Sequence, residues 1–458
     1  MADLRAPGTY WDRRLFWILG AGAVVRLVFL YALGDLSLWM DEKQYQEIAV
    51  NLVEGRGFAL DGELTSWRPP LYPFFLATLY TLMSTTDPVV VRAFQAMLSL
   101  VTPVVVYLLG RRLYGERVGL GAALLFTFYP SFLFYNNHVL TEVLFTLLLT
   151  LTAYWFAGYL DGRRLPLLAA SGAALGLAVL TREIFWPIVA VMALLVGHGK
   201  PGVSTWAWHS AALLLSFLAV TTPWVIRNTG LQGTFTLIAT NGGPVFYAGN
   251  YEHTPPDRPW RSHALSPELK VRRFLPANLT EGERQGLAFR KGLEFIRDHR
   301  WLSVRRAVIK AANVWGLERA VVGVLLKGGY GHPGRATILT ITALIFGFSA
   351  LTILGGMTGL CFSLFTPGRQ MPFHLYFSAL IVISTLIPAL TSGHPRYHLP
   401  LMPFFSVYAA HAWTIRQDVW NGRRSRPFKV AAVVAGLLFA IWTREIFFVE
   451  FQRFIQAL

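Results

Sequence analysis

WMDEKQYQEIAVNLVEGRGFALDGELTSWRPPLYP, residues 39–73, decides how this chain is read. The stretch follows the first long apolar run. It opens on two adjacent carboxylates, Asp41 and Glu42, and closes on Arg68 directly before Pro69 and Pro70. Between them, Tyr45, Ile48, Ala49, Leu52 and Val53 share one face at the i, i+3, i+4, i+7, i+8 spacing. That pattern predicts a helix lying on a membrane surface. Gly55 and Gly57 end it. Leu71–Met83 is apolar but short and headed by prolines. If it crossed the membrane, Arg111, Arg112 and Arg117 would fall outside, so it is expected as a second interfacial or re-entrant helix.

The rest of the chain is greasy. Of 458 residues, 54% are apolar and only 14% are charged. An ordinary soluble protein is neither so apolar nor so poor in charge. Several apolar runs reach roughly twenty residues, the length that spans a bilayer core. They are continuous rather than alternating, which argues against a transmembrane barrel. A net charge of +16 would suggest nucleic acid in a soluble protein. Here the basic residues fall in loops, where they fix topology and meet anionic head groups, so no nucleic acid is expected as a partner. Cys361 is the only cysteine, which excludes an intrachain disulfide and a Cys-based metal site. Arg13 and Arg14 precede the apolar Leu15–Leu33 without a small-x-small cleavage site, so an uncleaved first span is expected.

These features predict an all-α polytopic membrane protein with a cytoplasmic N-terminus. Spans are expected at 15–34, 89–109, 118–135, 140–160, 165–181, 184–197, 205–226, 336–360, 372–391, 398–416 and 428–448, about eleven in all. Residues 1–228 form an N-terminal transmembrane module whose first outer loop is 35–84. Residues 229–335 form a second outer region, and 336–458 the C-terminal transmembrane helices. The second region is read as strand-like or irregular from Thr234 to Tyr247. A Pro-rich loop follows at His253–Pro259, then one basic amphipathic helix from Glu281 to Leu317. Thr181–Phe185 recurs as Thr443–Phe447, both TREIF, and is read as chance identity.

Charge within spans is costly and marks function. In this topology Asp41, Glu42, Arg68, Arg92, His138, Glu142, Arg182, Glu183, Arg227, His394 and Arg396 all map to outer helix ends or loops. Asp41 can be a helix N-cap, or a general base on an acceptor hydroxyl or amine beside a wet cleft. Glu42 and Glu142 are its alternates. Arg68, stiffened by Pro-Pro, can snorkel to the interface or fork onto a phosphodiester. Arg396, in the run His394–Pro403, has the same two readings. No metal ligand is assigned. A divalent metal held by His138, His394, His398 and a carboxylate is an alternative left open, although Pro395 and Pro400 interrupt the helix that the histidine spacing would need.

Together these residues resemble a known family. Asp41-Glu42 after a first span, Tyr45, the Gly55–Phe58 turn and Arg68–Pro73 are similar to the first outer loop of bacterial GT-C glycosyltransferases. More narrowly, they resemble the family of protein O-mannosyltransferases and the aminoarabinose transferase of lipid A. Thr141–Phe145, Leu180–Arg182, Pro223–Asn228 and Arg396–Pro400 extend the likeness. The resemblance covers about the first 250 residues well and the rest loosely. It implies a GT-C type fold in a bacterial inner membrane. It implies transfer of a sugar from a polyprenyl-phosphate donor to a lipid, glycan or protein acceptor on the periplasmic face, with inversion. Asp41 matches the base, and Arg68 stands where the aminoarabinose enzymes have a phosphate-binding lysine. Glu142 matches an acidic position of the second outer loop. The leaving phosphate would meet Arg68 and Arg396 first, then Arg182 and Arg227, with Tyr45, Tyr397 and His138 nearby. Trp67 stands where the aminoarabinose enzymes carry a glutamate, which weakens both a metal site and that particular substrate.

Rival readings are a polysaccharide polymerase or ligase, a lipid flippase or transporter, and a membrane scaffold. A transporter should show ionisable groups at mid-depth and paired broken helices. The charges here fall at helix ends, and no P-loop or dinucleotide turn is present.

Overall fold

The computed structural model describes residues 12–33, 38–199, 202–255, 275–276, 278–326, 334–366 and 368–450. The start of the expected first outer loop and most of the Pro-rich loop lie outside them.

The chain is a helical membrane protein. Seven of its described helices are long and apolar enough to cross a bilayer: Arg13–Ala32, Pro88–Tyr114, Glu142–Gly162, Val203–Gln232, Arg335–Leu364, Met371–Leu390 and Arg426–Val449. The remaining expected spans are shorter apolar pieces. Prolines divide them by removing a helical donor and crowding the preceding turn. Residues 118–135 split into Glu116–Thr127 and Pro130–Tyr135, and 184–197 into a 3₁₀ turn and Ile188–Val196. Residues 398–416 begin as a 3₁₀ turn before Met402–Thr414, and Leu165–Thr181 is a single short helix.

Glu142–Gly162 runs through the middle of the bundle, with Phe145, Leu149, Ala153 and Phe156 fully buried. It packs on Leu165–Thr181 and Val101–Tyr114. Arg335–Leu364 lies against Met402–Thr414. Gly356 permits this approach, since a Cβ there would fall 2.5 Å from Phe405 Cδ1. Small residues at such seams let backbones meet where no water drives association. Arg26, inside the first long helix, is buried. It donates to Ser99 Oγ at 2.6 Å and to the Gly22 and Thr127 carbonyls at 3.1 Å. Satisfaction by neighbours of this kind is what a charge at that depth requires.

The stretch quoted first forms a helix, Met40–Val53, then a hairpin, Ala59–Leu60 with Glu63–Leu64, then the helix Leu71–Met83. The hairpin was not expected. Asp61 and Gly62 both have positive φ, 54° and 83°. That is what a two-residue type I′ turn demands, and Asp-Gly is its commonest sequence signal.

The 229–335 region departs from expectation in two places. Gly242–Gly249 is a helix, not strand-like chain. The expected long amphipathic helix breaks at His299 into Glu281–Asp298 and Arg300–Val314. The second piece is inverted relative to a soluble surface helix. Ser303, Arg306, Lys310 and Asn313 are buried, while Trp301, Val304 and Val308 are 86%, 55% and 64% exposed. Its polar side holds loop backbone. Arg306 donates to the Tyr251 carbonyl at 2.8 Å, and Lys310 Nζ to the Gly249 carbonyl at 2.7 Å. Burial, with Arg306 nearby, pushes the Lys310 ammonium down to about 7.

Candidate functional site

Asp41 is the second residue of the Met40–Val53 helix, whose N-cap is Trp39 and not Asp41, and its partners come from distant parts of the chain. Arg68 Nη2 donates to Asp41 Oδ1 at 2.5 Å, and Arg396 Nη1 donates to Asp41 Oδ2 at 3.3 Å. Arg396 also grips Glu142 with two nitrogens: Nε donates to Oε1, and Nη2 to Oε2 at 3.1 Å. Arg182 Nη2 donates to the same Glu142 Oε1 at 2.7 Å, while its Nε is held by Thr141 Oγ1 at 2.9 Å. The result is one cluster of three guanidiniums and two carboxylates.

The two carboxylates differ in exposure. The Glu142 side chain is fully buried and Asp41 is 38% exposed. Burial by itself would raise the Asp41 carboxyl, but the adjacent Arg68 and Arg396 guanidiniums outweigh it and hold the group well below the usual carboxylate range.

Arg68 is positioned twice over. Its Nε and Nη2 both donate to Gln44 Oε1, at 2.8 and 2.6 Å, and its guanidinium lies over the Tyr45 ring at 5.1 Å. Gln44 sits one turn after Asp41 on the same helix, and sequence reasoning passed over it. After these bonds, Arg68 Nη1 and Arg182 Nη1 have no partner among the described residues. Every nitrogen of Arg396, in contrast, is engaged.

The other sequence candidates have different tasks. Glu42 is buried and accepts from Trp39 N–H at 2.8 Å and Val139 N–H at 2.7 Å, with His138 Nδ1 at 3.0 Å. It caps its own helix and ties down the 136–139 loop. His138 is thereby a partner of Glu42. Tyr45 is buried against Tyr72, ring to ring at 5.1 Å. Tyr397 meets Ser392 Oγ at 3.3 Å. Arg227 stands apart from the cluster. It donates to the Thr65 carbonyl at 2.6 Å and lies over the Trp224 ring at 4.7 Å. The histidines considered together as metal ligands are engaged separately. His398 lies between the Val314 carbonyl and Glu318, and His394 Nδ1 accepts from Arg396 N–H.

A second hub was also missed. Ser66, two residues before Arg68, joins four segments. Its N–H donates to Glu281 Oε2 at 2.8 Å, and its carbonyl accepts from Thr240 N–H at 2.9 Å. Its hydroxyl donates to Asn228 Oδ1 at 3.0 Å and accepts from Gln232 Nε2 at 3.0 Å. These contacts join residues up to 215 positions apart, so no local pattern announces them.

Residues 67–226 match the family described as dolichyl-phosphate-mannose-protein mannosyltransferase. An uncharacterised protein of Aquifex aeolicus is 30% identical over 165 residues, which is 34% of this chain and 32% of that protein. Among solved structures, the oligosaccharyltransferase of Archaeoglobus fulgidus in its apo form superposes with a TM-score of 0.51 at 15% identity. That match covers 94% of this chain, and the chain spans 55% of the archaeal protein. ArnT from Cupriavidus metallidurans, solved bound to undecaprenyl phosphate, gives a TM-score of 0.42 at 14% identity, covering 90% of this chain and 79% of ArnT. The fold is therefore similar to that of the archaeal oligosaccharyltransferase, and residues 67–226 are similar to the dolichyl-phosphate-mannose-protein mannosyltransferases.

Proposed function

We propose that this protein is a membrane glycosyltransferase that moves a sugar from a polyprenyl-phosphate carrier to a lipid, glycan or protein acceptor. The observation that carries the reading is the cluster itself: three arginines set against two carboxylates, with two guanidinium edges unclaimed. The family match supports the lipid-phosphate donor.

The cluster has one positive charge in excess, which a phosphodiester balances. In the reaction the bond between the anomeric carbon and phosphate oxygen breaks, and its electron pair leaves with the phosphate. The acceptor oxygen or nitrogen attacks from the opposite face, forms the new bond and gives its proton to Asp41. The leaving phosphate gains a negative charge as Asp41 loses one, so the net charge of the site does not change. Preorganised cations that need not move during the step are an effective way to stabilise a leaving anion.

Asp41 in its resting ion pairs is a weak base, because a base works best when its pKa lies near the operating pH. A donor phosphate that draws Arg68 towards itself weakens that hold. Donor arrival and activation of the base are then linked through one guanidinium. Glu142, buried behind Arg396 and Arg182, keeps those two cations in place.

The site lies on the extracytoplasmic face in this reading. Glu142 heads a 21-residue helix whose far end is followed by Arg163 and Arg164, and such basic ends mark the cytoplasmic side. The short apolar helices complete a topology of about eleven crossings in a bacterial inner membrane, and the exposed apolar side of Arg300–Val314 lies among outer-leaflet lipid.

The test is release of polyprenyl phosphate from radiolabelled polyprenyl-phosphate sugars by the purified full chain in nanodiscs supplied with envelope extract as acceptor. Transfer by the wild-type chain and none by Asp41→Asn is expected. Wild-type turnover by Asp41→Asn would overturn the mechanism.

A further inference from the structure

The helix Glu142–Gly162 carries the cluster's buried glutamate at its head and a different constellation at its tail. Tyr159, near the far end, stands roughly 26 Å from Glu142 at ~1.5 Å of rise per residue. Arg163 caps that end in the left-handed region, with φ 53° and ψ 26°. Glycine is the usual occupant of such a cap, so this arginine sits there at a conformational cost. Its Nη1 donates to the Val196 carbonyl at 2.6 Å and to Tyr159 Oη at 3.1 Å, and its Nη2 donates to the His198 carbonyl. The guanidinium lies over the Tyr159 ring at 5.3 Å. These bonds leave Nε and one Nη2 hydrogen without a partner among the described residues.

Beside this guanidinium is a cavity of about 140 Å³, lined by Tyr159, Arg163, Val196, Gly199, Thr205 and His209. One water needs only ~10–15 Å³ of such space, so there is room for a larger guest. Gly199 and Thr205 are exposed, so the cavity opens at the surface. Tyr159 is fully buried, and its hydroxyl meets His209 Nδ1 at 2.8 Å. A hydroxyl that accepts from Arg163 has its own hydrogen to give, so Nδ1 takes it. The neutral imidazole then carries its hydrogen on Nε2, which has no partner among the described residues. Among the described residues no carboxylate lines the cavity. The lining therefore offers guanidinium and imidazole N–H groups, the Thr205 hydroxyl and one full positive charge. That set fits the oxygens of a phosphate group. Trp206 and Trp208, 36% and 64% exposed, stand beside Thr205 and His209 in the first turns of Val203–Gln232. Exposed tryptophan near a helix end marks the head-group level of a bilayer.

We propose that Arg163, Thr205 and His209 form a phosphate-binding site at the end of the bundle opposite the cluster, and that its guest is the head group of an anionic membrane lipid. The flanking tryptophans favour a lipid over a soluble phosphate. The chemistry of the lining takes either, so the test separates them. A phosphate held here joins the tail of Glu142–Gly162 to the start of Val203–Gln232, and so stabilises the folded chain by mass action. This inference needs nothing from the transferase reading.

The test uses the purified full chain in detergent, titrated with phosphatidylglycerol, with inorganic phosphate and with diacylglycerol, which lacks the phosphate. Arg163→Gly suits the left-handed backbone and removes the guanidinium without straining the turn. His209→Phe keeps an aromatic ring and removes Nε2. Arg163→Gly is expected to weaken phosphatidylglycerol binding at least ~10-fold, the worth of hydrogen bonds to a charged group, and His209→Phe about severalfold. Phosphatidylglycerol, unlike diacylglycerol, is expected to raise the unfolding temperature of the wild-type chain and not that of Arg163→Gly. Loss for the lipid, with or without loss for inorganic phosphate, assigns the site to a membrane lipid. Loss for inorganic phosphate alone overturns the lipid as guest. Wild-type affinity for both in both variants overturns the site, as does a wild-type chain that binds diacylglycerol as tightly as phosphatidylglycerol.

Discussion

Arg68 Nη2 donates to Asp41 Oδ1 at 2.5 Å, while Gln44 takes both Nε and Nη2 of the same guanidinium. Arg68 is thus aimed, with Nη1 left for a ligand. Arg68→Ala should weaken binding of bare polyprenyl phosphate by about 10- to 100-fold, the worth of a hydrogen bond to a charged group. Gln44→Leu keeps the charge but removes the anchor, so a smaller loss, on the order of severalfold, is expected. Titration of the full chain with undecaprenyl phosphate checks both, and equal affinity in Arg68→Ala would remove Arg68 from the phosphate site.

Asp41→Asn separates chemistry from binding. Transfer should fall by at least ~100-fold, as loss of a general base requires. Phosphate binding should become tighter, because Arg68 and Arg396 lose a competing anion. The two readings move in opposite directions, which simple misfolding could not produce.

Glu142 is fully buried between Arg396 and Arg182. Glu142→Gln leaves both cations short of a counter-charge, and breaking a buried pair costs about 3–5 kcal/mol. A clear drop in thermal unfolding temperature in detergent is expected. Arg396→Lys should not match Arg396 in either stability or turnover, since an ammonium cannot make the two-pronged contact. Unchanged unfolding of Glu142→Gln would show that the pair carries no weight.

Glu183 gives a pH signature. Burial raises its folded value to about 7, above the ordinary 4.5. The folded state therefore holds this proton more tightly than the unfolded chain does. The resulting stabilisation is fully present below about 4.5, declines as pH rises and is gone above about 7. Its size is no more than about 3 kcal/mol. Thermal unfolding measured from pH 4.5 to 7 should fall more steeply in the wild-type chain than in Glu183→Gln. Parallel curves would contradict the burial argument.

Much of this was legible in the sequence, for identifiable reasons. The helical membrane architecture follows from continuous apolar runs, and the site from carboxylates and arginines gathered at helix ends. Asp41 and Arg68 stand in one local stretch and were singled out separately, and the structure pairs them. Glu142 and Arg396 followed from topology, which brings like ends together. What could not be read was the division of labour. Glu42 differs from Asp41 by one position, yet a turn of helix points it inwards to Trp39 and Val139. Arg227 carries the same charge as Arg182 but turns Nη1 to the Thr65 carbonyl and Asn228 Oδ1, away from the cluster. Such choices depend on tertiary neighbours that local spacing does not encode. The Asp61–Gly62 hairpin is the opposite case, since its signal was in plain view between two stronger helical ones.

Arg396 meets Glu142 across 254 residues of chain. That separation has a consequence for biosynthesis. When Glu142 first enters the bilayer, Arg182 soon follows it, but its second counter-ion is still unmade. Until Arg396 is made, Asp41 and Glu142 are matched one for one by Arg68 and Arg182, and the cluster is electrically neutral. The last arginine to be synthesised is thus the one that gives the cluster its excess positive charge. A partly made chain holds the paired carboxylates but not the surplus charge that an anion would meet.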